Sequence, residues 1–563
     1  MHQLPPDATT TLDAVTGAQR ASVIAPPVTL PSVDRSRWER AADRLRRLDL
    51  PERRDRWVVA ALVVLAFLLR IPNLGRAFWI DEGISVGIAS QPLSRIPGLL
   101  RLDGSPPGWY VLLHFWIKLF GTSVVATHVL PLTISLIVIP VSYWAGRELF
   151  GRPGGLAAAL MSATNPFLSW YGTETRMYTL VVLLSMLAVT FTLRAVRRPR
   201  WRDALGAAVC FAALLYLHDW ALYLTGLTAL VVLAYAWRTR NRRLALGTIG
   251  AGALVLALYA PWLPTFIFQA QTTAAPWAVP PHITDLIVDP SNTLGGTLDI
   301  IAVPVMVLAI WHTHRDRPAR DRQAATLLGA IGLGTLLLGW LASQVEPSWT
   351  IRYLAVALGP LLLAIAGSLA STLRGRVVLG GLCAFLVAGS AIGSLLPNTN
   401  ARYAKSNVAA IAMAAGPHLQ PGDLVITTQS ETLAVLHYYL PAGLQYATPT
   451  GVSDEPYLVD WRNIVSRLFA ARPCQALLPA LKALPVGADV LEINPLRTIG
   501  HSGSAWSDAS NAQVADDDAL LAEERGLRPV ASYTEGTKPK PYSAVVGELF
   551  TKTSNALSCP RGL

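Results

Sequence analysis

The stretch FWIDEGISVG at residues 78–87 sets two adjacent carboxylates, Asp81 and Glu82, just beyond the first long apolar run of the chain, WVVAALVVLAFLLRIP. They sit among Phe78, Trp79, Ile80 and Ile84, so an ionised carboxylate here needs partners that a polar loop would not have to supply. Such a carboxylate can accept the proton of an attacking hydroxyl, the task of a general base. A solvated cap at a helix end is the bland alternative. Other segments add weight to the chemical reading. In DGSPPGWY (103–110), Gly104 and the proline pair enforce a turn and leave Asp103 free to face a substrate. WYGTETRMYTL (170–180) carries Glu174 and Arg176, HDWALYL (218–224) carries His218 and Asp219, and EPSWTIRYL (346–354) carries Arg352 and Tyr353. The guanidinium fork matches phosphate oxygens, although Glu174 and Arg176 can also simply pair, and Arg352 can snorkel. His218 beside Asp219 has no diagnostic ligand spacing, so a divalent metal is left open as a cofactor and none is assigned.

The elements that must bring these residues together follow from composition. The chain is 52% hydrophobic and 15% charged, and its apolar runs recur at the length a bilayer requires, which makes it a polytopic α-helical membrane protein. Its formal charge of +11 comes from short basic blocks between apolar runs, RRPRWR, WRTRNRR, HTHRDRPARDR and LRGR, where topology explains them and nucleic acid is not needed. These blocks belong on the cytoplasmic side. The segment 106–121, PPGWYVLLHFWIKLFG, is short and carries Lys118 among aromatics, a composition for a helix lying in the outer interface. With that segment set aside, spans are expected near 57–72, 124–147, 154–172, 176–195, 203–218, 220–236, 245–265, 297–311, 324–342, 353–371 and 377–396. That count of about eleven places the C-terminus outside, and with it the ends of spans that carry Asp81, Glu82, Asp103, Glu174, Arg176, His218, Asp219, Glu346 and Arg352.

Three regions result: a cytoplasmic N-terminal segment at 1–56, disordered and then a basic helix; the transmembrane domain at 57–396; and an exterior soluble domain at 397–563. In the last, strands are expected at 422–428, 444–448 and 487–495 with a helix at 431–440, an α/β pattern, and residues 501–518 read as a mobile loop. Cys474 and Cys559 fall in this domain, where an oxidising compartment permits a disulfide that spacing alone does not prove. Cys210 and Cys383 lie in spans and read as packing residues. The sequence contains no GxxxxGK[ST] loop, no GxGxxG after a strand and no HExxH, so energy must come from an activated substrate or an ion gradient.

Taken together, FWIDEG, DGSPPGWY, YGTETRMY and the arginine of TIRYL resemble the GT-C superfamily of integral-membrane glycosyltransferases. The resemblance is to the branch containing protein O-mannosyltransferases, the aminoarabinose transferase and the rhizobial core galacturonosyltransferases (glycosyltransferase family 39-like), of an actinobacterial type in the segment from SNVAAIAMAAG to HYYLP. It implies a first exterior loop of surface-lying helices whose acidic motif supplies the base, here Asp81 with Glu82 beside it. It implies inversion at the sugar carbon and a polyprenyl phosphate sugar donor. Arg176 and Arg352 then stabilise the leaving phosphate and Glu174 corresponds to an acidic position near the site, while Asp103, His218, Asp219 and Tyr353 are further substrate-binding candidates read from the residues themselves. The expected partners are that donor, a glycan, glycolipid or protein acceptor, and the lipid bilayer. The expected location is the cytoplasmic membrane, with the site on its outer face and mannose or arabinofuranose as the favoured sugar. A secondary transporter and a membrane-anchored glycan-binding protein remain as alternatives, although no internal repeat supports the first and the second leaves the acidic motif unused.

Overall fold

The computed structural model describes residues 52–314, 319–395, 405–498, 503–522, 526–537 and 543–559. The expected disordered segment and most of the basic helix lie outside the described residues. Helix α1 (Glu52–Arg70) leads into three short helices, α2 (Ile80–Ala89), α3 (Ile96–Asp103) and α4 (Gly108–Phe120). The last is the segment expected to lie in the interface. Trp109, Tyr110, Leu113 and His114 bury one of its faces, while Leu112, Phe115, Leu119 and Phe120 remain exposed on another, an arrangement that suits a lipid surface better than water.

Helix α5 (Val124–Thr164) runs for 41 residues but is not one rod, because Gly151 breaks it at φ 76°. A Cβ on Gly146 would lie 2.5 Å from the carbonyl oxygen of Gly154, whereas eight residues of straight helix separate their ends by about 12 Å. The element is therefore a helical hairpin whose arms approach through glycine. Arg70, at the end of α1, is buried against both arms and donates to the carbonyl oxygens of Ser135 at 3.2 Å and Ser162 at 3.1 Å. The bundle is completed by α6 (Pro166–Tyr171), α7 (Tyr178–Arg197), α8 (Trp201–Leu215), α9 (Ala221–Arg238), α10 (Arg242–Tyr259), α11 (Leu263–Thr272), α12 (Asp285–Gly295), α13 (Asp299–Thr313), α14 (Ala319–Ala342), α15 (Ala355–Ala370) and α16 (Leu373–Leu395). Helix α15 is buried along its whole length except at Ile365, as its uniformly apolar sequence requires.

Among the described residues seven helices are long and apolar enough to cross a membrane, or eight if α12 and α13, bent by 93°, form one span. The sequence suggested about eleven. The difference rests on three elements: α1 opens on ERRDR, the hairpin α5 counts as one helix, and α8 has only 15 residues.

The C-terminal region forms a six-stranded sheet in the order β3-β2-β1-β4-β6-β5. Its strands are β1 (Leu424–Thr427), β2 (Gln445–Thr448), β3 (Gly451–Val452), β4 (Asp489–Thr498), β5 (Leu527–Tyr533) and β6 (Ser543–Lys552). Strand β1 pairs in parallel with β2 and β4, and the outer pairings are antiparallel. Helices α17 (Val408–Ala415), α18 (Leu433–Tyr439), α19 (Ile464–Ala470) and α20 (Ala505–Ala522) pack around it. The strands and helix read from the sequence correspond to β1, β2, β4 and α18. The loop expected at 501–518 is corrected, since the chain is helical from Ala505. The inner face of α20 is Trp506, Ala509, Ser510, Gln513, Asp517 and Leu520, buried at helical spacing, and most of these are small or polar, so hydrophobicity does not reveal the period. Cys474 and Cys559 form a disulfide, while Cys210 and Cys383 are free and buried.

This sheet domain docks on α2 through two glycines one turn apart. A Cβ on Gly83 would stand 2.7 Å from Val435 Cγ2, and one on Gly87 would stand 2.6 Å from Tyr457 Cβ. Around them, Tyr439 OH accepts from the N–H of Phe78 at 3.0 Å, and the N–H of Trp461 donates to Leu102 O at 3.1 Å. A Gly83→Leu substitution forces this contact apart and is expected to cost about 1–3 kcal/mol in thermal unfolding. Gly98→Ala, where a Cβ meets nothing within 4 Å, should leave the transition unchanged or raised.

Candidate active site

Asp81 and Glu82 occupy successive positions in the first turn of α2, so their side chains leave the helix about 100° apart and meet different surroundings. Glu82 points into the bundle. Its Oε1 lies 2.6 Å from His128 Nε2 and accepts the N–H of Thr175 at 2.7 Å, and its Oε2 accepts the N–H of Trp79 at 3.2 Å. His128 Nδ1 in turn lies 2.8 Å from Leu74 O. Burial alone pushes the Glu82 carboxyl up, but His128 and the two backbone donors outweigh it and hold the group below the usual carboxylate range. With its oxygens taken, Glu82 fastens the start of α2 to α5 and to the 175 loop.

Asp81 points the other way, into a cavity of about 190 Å³ that is also lined by Asp103, Tyr110, Arg176, Arg352 and Tyr353. Its Oδ2 is 4.0 Å from Arg176 Nε and 3.8 Å from Arg352 Nη1. Arg176 comes from the loop before α7 and gives Nη1 to Ser85 Oγ at 2.9 Å and Tyr110 OH at 3.3 Å. Arg352 comes from the turn before α15 and stacks over Trp277, Trp79 and Tyr353 at 5.0, 5.6 and 5.7 Å. The Nε atoms of both arginines are buried without a hydrogen-bond partner among the described residues. Two guanidinium groups thus flank one carboxylate at a distance longer than a hydrogen bond, leaving N–H donors for an anion.

An adjoining cavity of about 300 Å³ shares Gly104, Ser105, Arg176 and Tyr353 with the first and adds His218, Asp219, Tyr223 and Glu346. His218 Nδ1 accepts the N–H of Trp220 at 3.1 Å, which makes Nε2 the protonated nitrogen of a neutral ring, and this Nε2 has no partner among the described residues. Asp219 Oδ1 is likewise unpartnered, and burial pushes the Asp219 carboxyl up to about 7. Glu174 lines neither cavity. Its Oε2 pairs with Lys405 Nζ, which also lies over Trp79 at 4.2 Å and Tyr171 at 5.0 Å. Burial pushes the Glu174 carboxyl up and the Lys405 ammonium down, and each only partly counters the other. Among the described residues no three His, Cys, Asp or Glu side chains form a group that could hold a metal ion.

Sequence reading therefore selected five residues of one cavity (Asp81, Asp103, Arg176, Arg352, Tyr353), two of its neighbour (His218, Asp219), and two that stand behind the wall (Glu82, Glu174). It missed His128, Lys405, Gln429 and Glu431. His128 is a lone histidine one turn into an apolar helix, and Lys405 a lone lysine after a span, so neither carries a spacing signal.

Asp103 supplies a pH test. Burial pushes its carboxyl up from 3.8 to about 6, with Ser105 and Arg176 pulling it back. The folded chain therefore binds this proton more tightly than the unfolded chain, so the group's contribution is complete below 3.8 and is lost as pH rises through about 6. Asp103→Asn should lose less stability than wild type over that window, by about 1–3 kcal/mol, in thermal unfolding at the two ends of the range.

Residues 104–264 match the family described as dolichyl-phosphate-mannose-protein mannosyltransferase. No curated protein matches the chain. Among solved structures, ArnT from Cupriavidus metallidurans in the apo state is 15% identical, with a TM-score of 0.56 over 90% of this chain and 98% of that one. ArnT from the same organism bound to undecaprenyl phosphate is 14% identical, with a TM-score of 0.56 over 90% of this chain and 99% of that one. At such identity the likeness is one of fold, and that fold is the GT-C-like arrangement of a polytopic helical bundle carrying a C-terminal sheet domain.

Proposed function

We propose that this chain is an inverting glycosyltransferase that moves a sugar, mannose or arabinofuranose, from a polyprenyl phosphate to a hydroxyl of an envelope glycan, glycolipid or protein at the outer face of the cytoplasmic membrane. The observation that carries this reading is Arg352: half-buried, stacked on three aromatic rings, 3.8 Å from Asp81 and with its buried Nε lacking a hydrogen-bond partner among the described residues. A donor phosphate satisfies that guanidinium and its neighbour Arg176. Asp81 Oδ accepts the proton of the acceptor hydroxyl, the acceptor oxygen bonds to the anomeric carbon, and the carbon–oxygen bond to phosphate breaks with its electron pair departing on the phosphate. The two guanidinium groups stabilise the charge that develops there. One carboxylate suffices, because phosphate leaves without the acid that glycoside hydrolysis needs. The polyprenyl chain stays in the bilayer while its sugar reaches the end of the bundle. Further support comes from the family matched by residues 104–264, described as dolichyl-phosphate-mannose-protein mannosyltransferase, and from the undecaprenyl phosphate bound by the similarly folded ArnT. Glu82 acts through position, holding the turn from which Asp81 projects.

The test uses purified protein in lipid nanodiscs with labelled polyprenyl phosphate sugars and envelope glycan acceptors. Asp81→Asn, nearly isosteric, should fold as wild type and lose about 10² to 10⁴ in rate. Near-wild-type transfer by that variant removes Asp81 from the chemistry, and failure of every donor to be consumed by wild type removes the reaction. Arg352→Ala should lose about 10² to 10³ in kcat, because its interaction strengthens as the phosphate leaves. A change confined to KM would assign Arg352 to ground-state binding instead.

A further inference from the structure

The cavity that holds Asp81 is closed on one side by the sheet domain, whose contribution is Gln429, Glu431, Trp461, Trp506, Ser507 and Ser543. The glycosyl-transfer reading uses none of these. Gln429 and Glu431 lie just past the carboxyl end of β1, where the chain leaves toward β2 on one side while β4 pairs in parallel on the other. In open sheets with parallel strands, the crevice outside the carboxyl ends at such a reversal is where ligands bind. Gln429 and Glu431, at this end of β1, line the same cavity as Asp81.

Gln429 is 5% exposed, yet its Oε1 has no hydrogen-bond partner among the described residues, and neither does Glu431 Oε2. Unsatisfied buried acceptors cost free energy that a ligand's O–H groups would recover. Indoles stand beside them: Trp461 and Trp506 meet edge to face at 5.3 Å, and Trp277 lines the same cavity. The position of these rings is pinned by backbone bonds to the membrane portion, from the N–H of Trp461 to Leu102 O at 3.1 Å and from the N–H of Trp506 to Pro276 O at 3.4 Å.

We propose that Gln429, Glu431, Trp461 and Trp506 form a sugar subsite facing Asp81, in which the two side-chain oxygens accept ring hydroxyls and the indoles pack against the C–H face of the ring. A sugar is the chemistry that fits, because it offers hydroxyl donors in its plane and apolar C–H faces above and below it. Among the described residues no Arg or Lys of the sheet domain lines this side, so the phosphate stays with Arg176 and Arg352. The inference rests on the glycosyl-transfer reading for the source of its sugar, which is either the acceptor's terminal residue or the donor's.

Two experiments separate these sources from failure of the parent reading. In the first, saturation-transfer NMR follows an α-linked mannose disaccharide and an arabinofuranose disaccharide against wild type in nanodiscs, with no donor present. Saturable binding, weakened about 10-fold by Glu431→Ala and by Trp506→Ala in proteins of wild-type thermal stability, is the expected result. Absence of binding of both sugars to wild type, or equal binding by wild type and both variants, overturns the subsite whether or not transfer occurs. In the second, steady-state transfer is measured for the same variants and for Glu431→Gln, whose shape protects the fold. An acceptor KM raised about 10-fold with an unchanged donor KM assigns the subsite to the acceptor, and the reverse assigns it to the donor sugar. Unchanged KM values for both substrates overturn the subsite.

Discussion

Two guanidinium groups, one buried and one half-buried, beside one carboxylate at the end of an apolar helical bundle form the constraint on which the rest of this structure depends. Removing such charges from water is costly, so each must be held by elements that cannot drift. Asp81 is held by α2, Arg176 by the loop entering α7, and Arg352 by the turn entering α15, the helix buried almost from end to end. The close approach of these elements is made by small residues. A Cβ on Gly359 of α15 would stand 2.4 Å from Ser185 Oγ of α7, and one on Gly367 would stand 2.4 Å from the ring of Phe150. Helix packing and site electrostatics are in that sense the same problem, since any looseness along α15 is a displacement of Arg352.

The pair at Glu82 and His128 solves a related problem one residue away. A carboxylate buried beside Asp81 would repel it, but this one is neutralised in place by His128 and by the N–H groups of Trp79 and Thr175. Lys405 and Glu174 repeat the device on the next wall, with the ammonium supplied by the chain entering the sheet domain. Glu82 and Glu174 therefore each have their own cation, whereas Asp81 shares two guanidinium groups that retain N–H donors. The sheet domain completes the enclosure by pressing α18 against Gly83.

Much of this was legible in the sequence. Aspartate among aromatics after a span, a DGSPP turn, and arginines at span ends are signals that survive without coordinates, because ionisable groups at such depth need a reason. The strands of the parallel core, β1, β2 and β4, show as apolar runs bounded by turns. Helix α20 did not, since its buried face is built of Trp506 and small or polar residues, and the hairpin in α5 did so only through GRPGG. The divergence of Asp81 and Glu82 follows from helical geometry once the turn is known to be helical, but the partner that claims Glu82 is 46 residues away and carries no local mark.

What the sequence by itself determined is the apolar helical class of the fold and the ionisable side chains available at its ends, because the cost of burying charge restricts where evolution can leave Asp, Glu and Arg in an apolar chain. What only the tertiary structure decided is the division of labour: which carboxylate faces the cavity and which is locked behind it, which arginines keep donors free, and that residues from the sheet domain, Gln429 and Glu431, stand in the wall opposite Asp81. Those outcomes depend on contacts between segments remote in the chain, and such contacts are set by packing volume and hydrogen-bond satisfaction summed over the whole fold, which no local pattern of residues encodes.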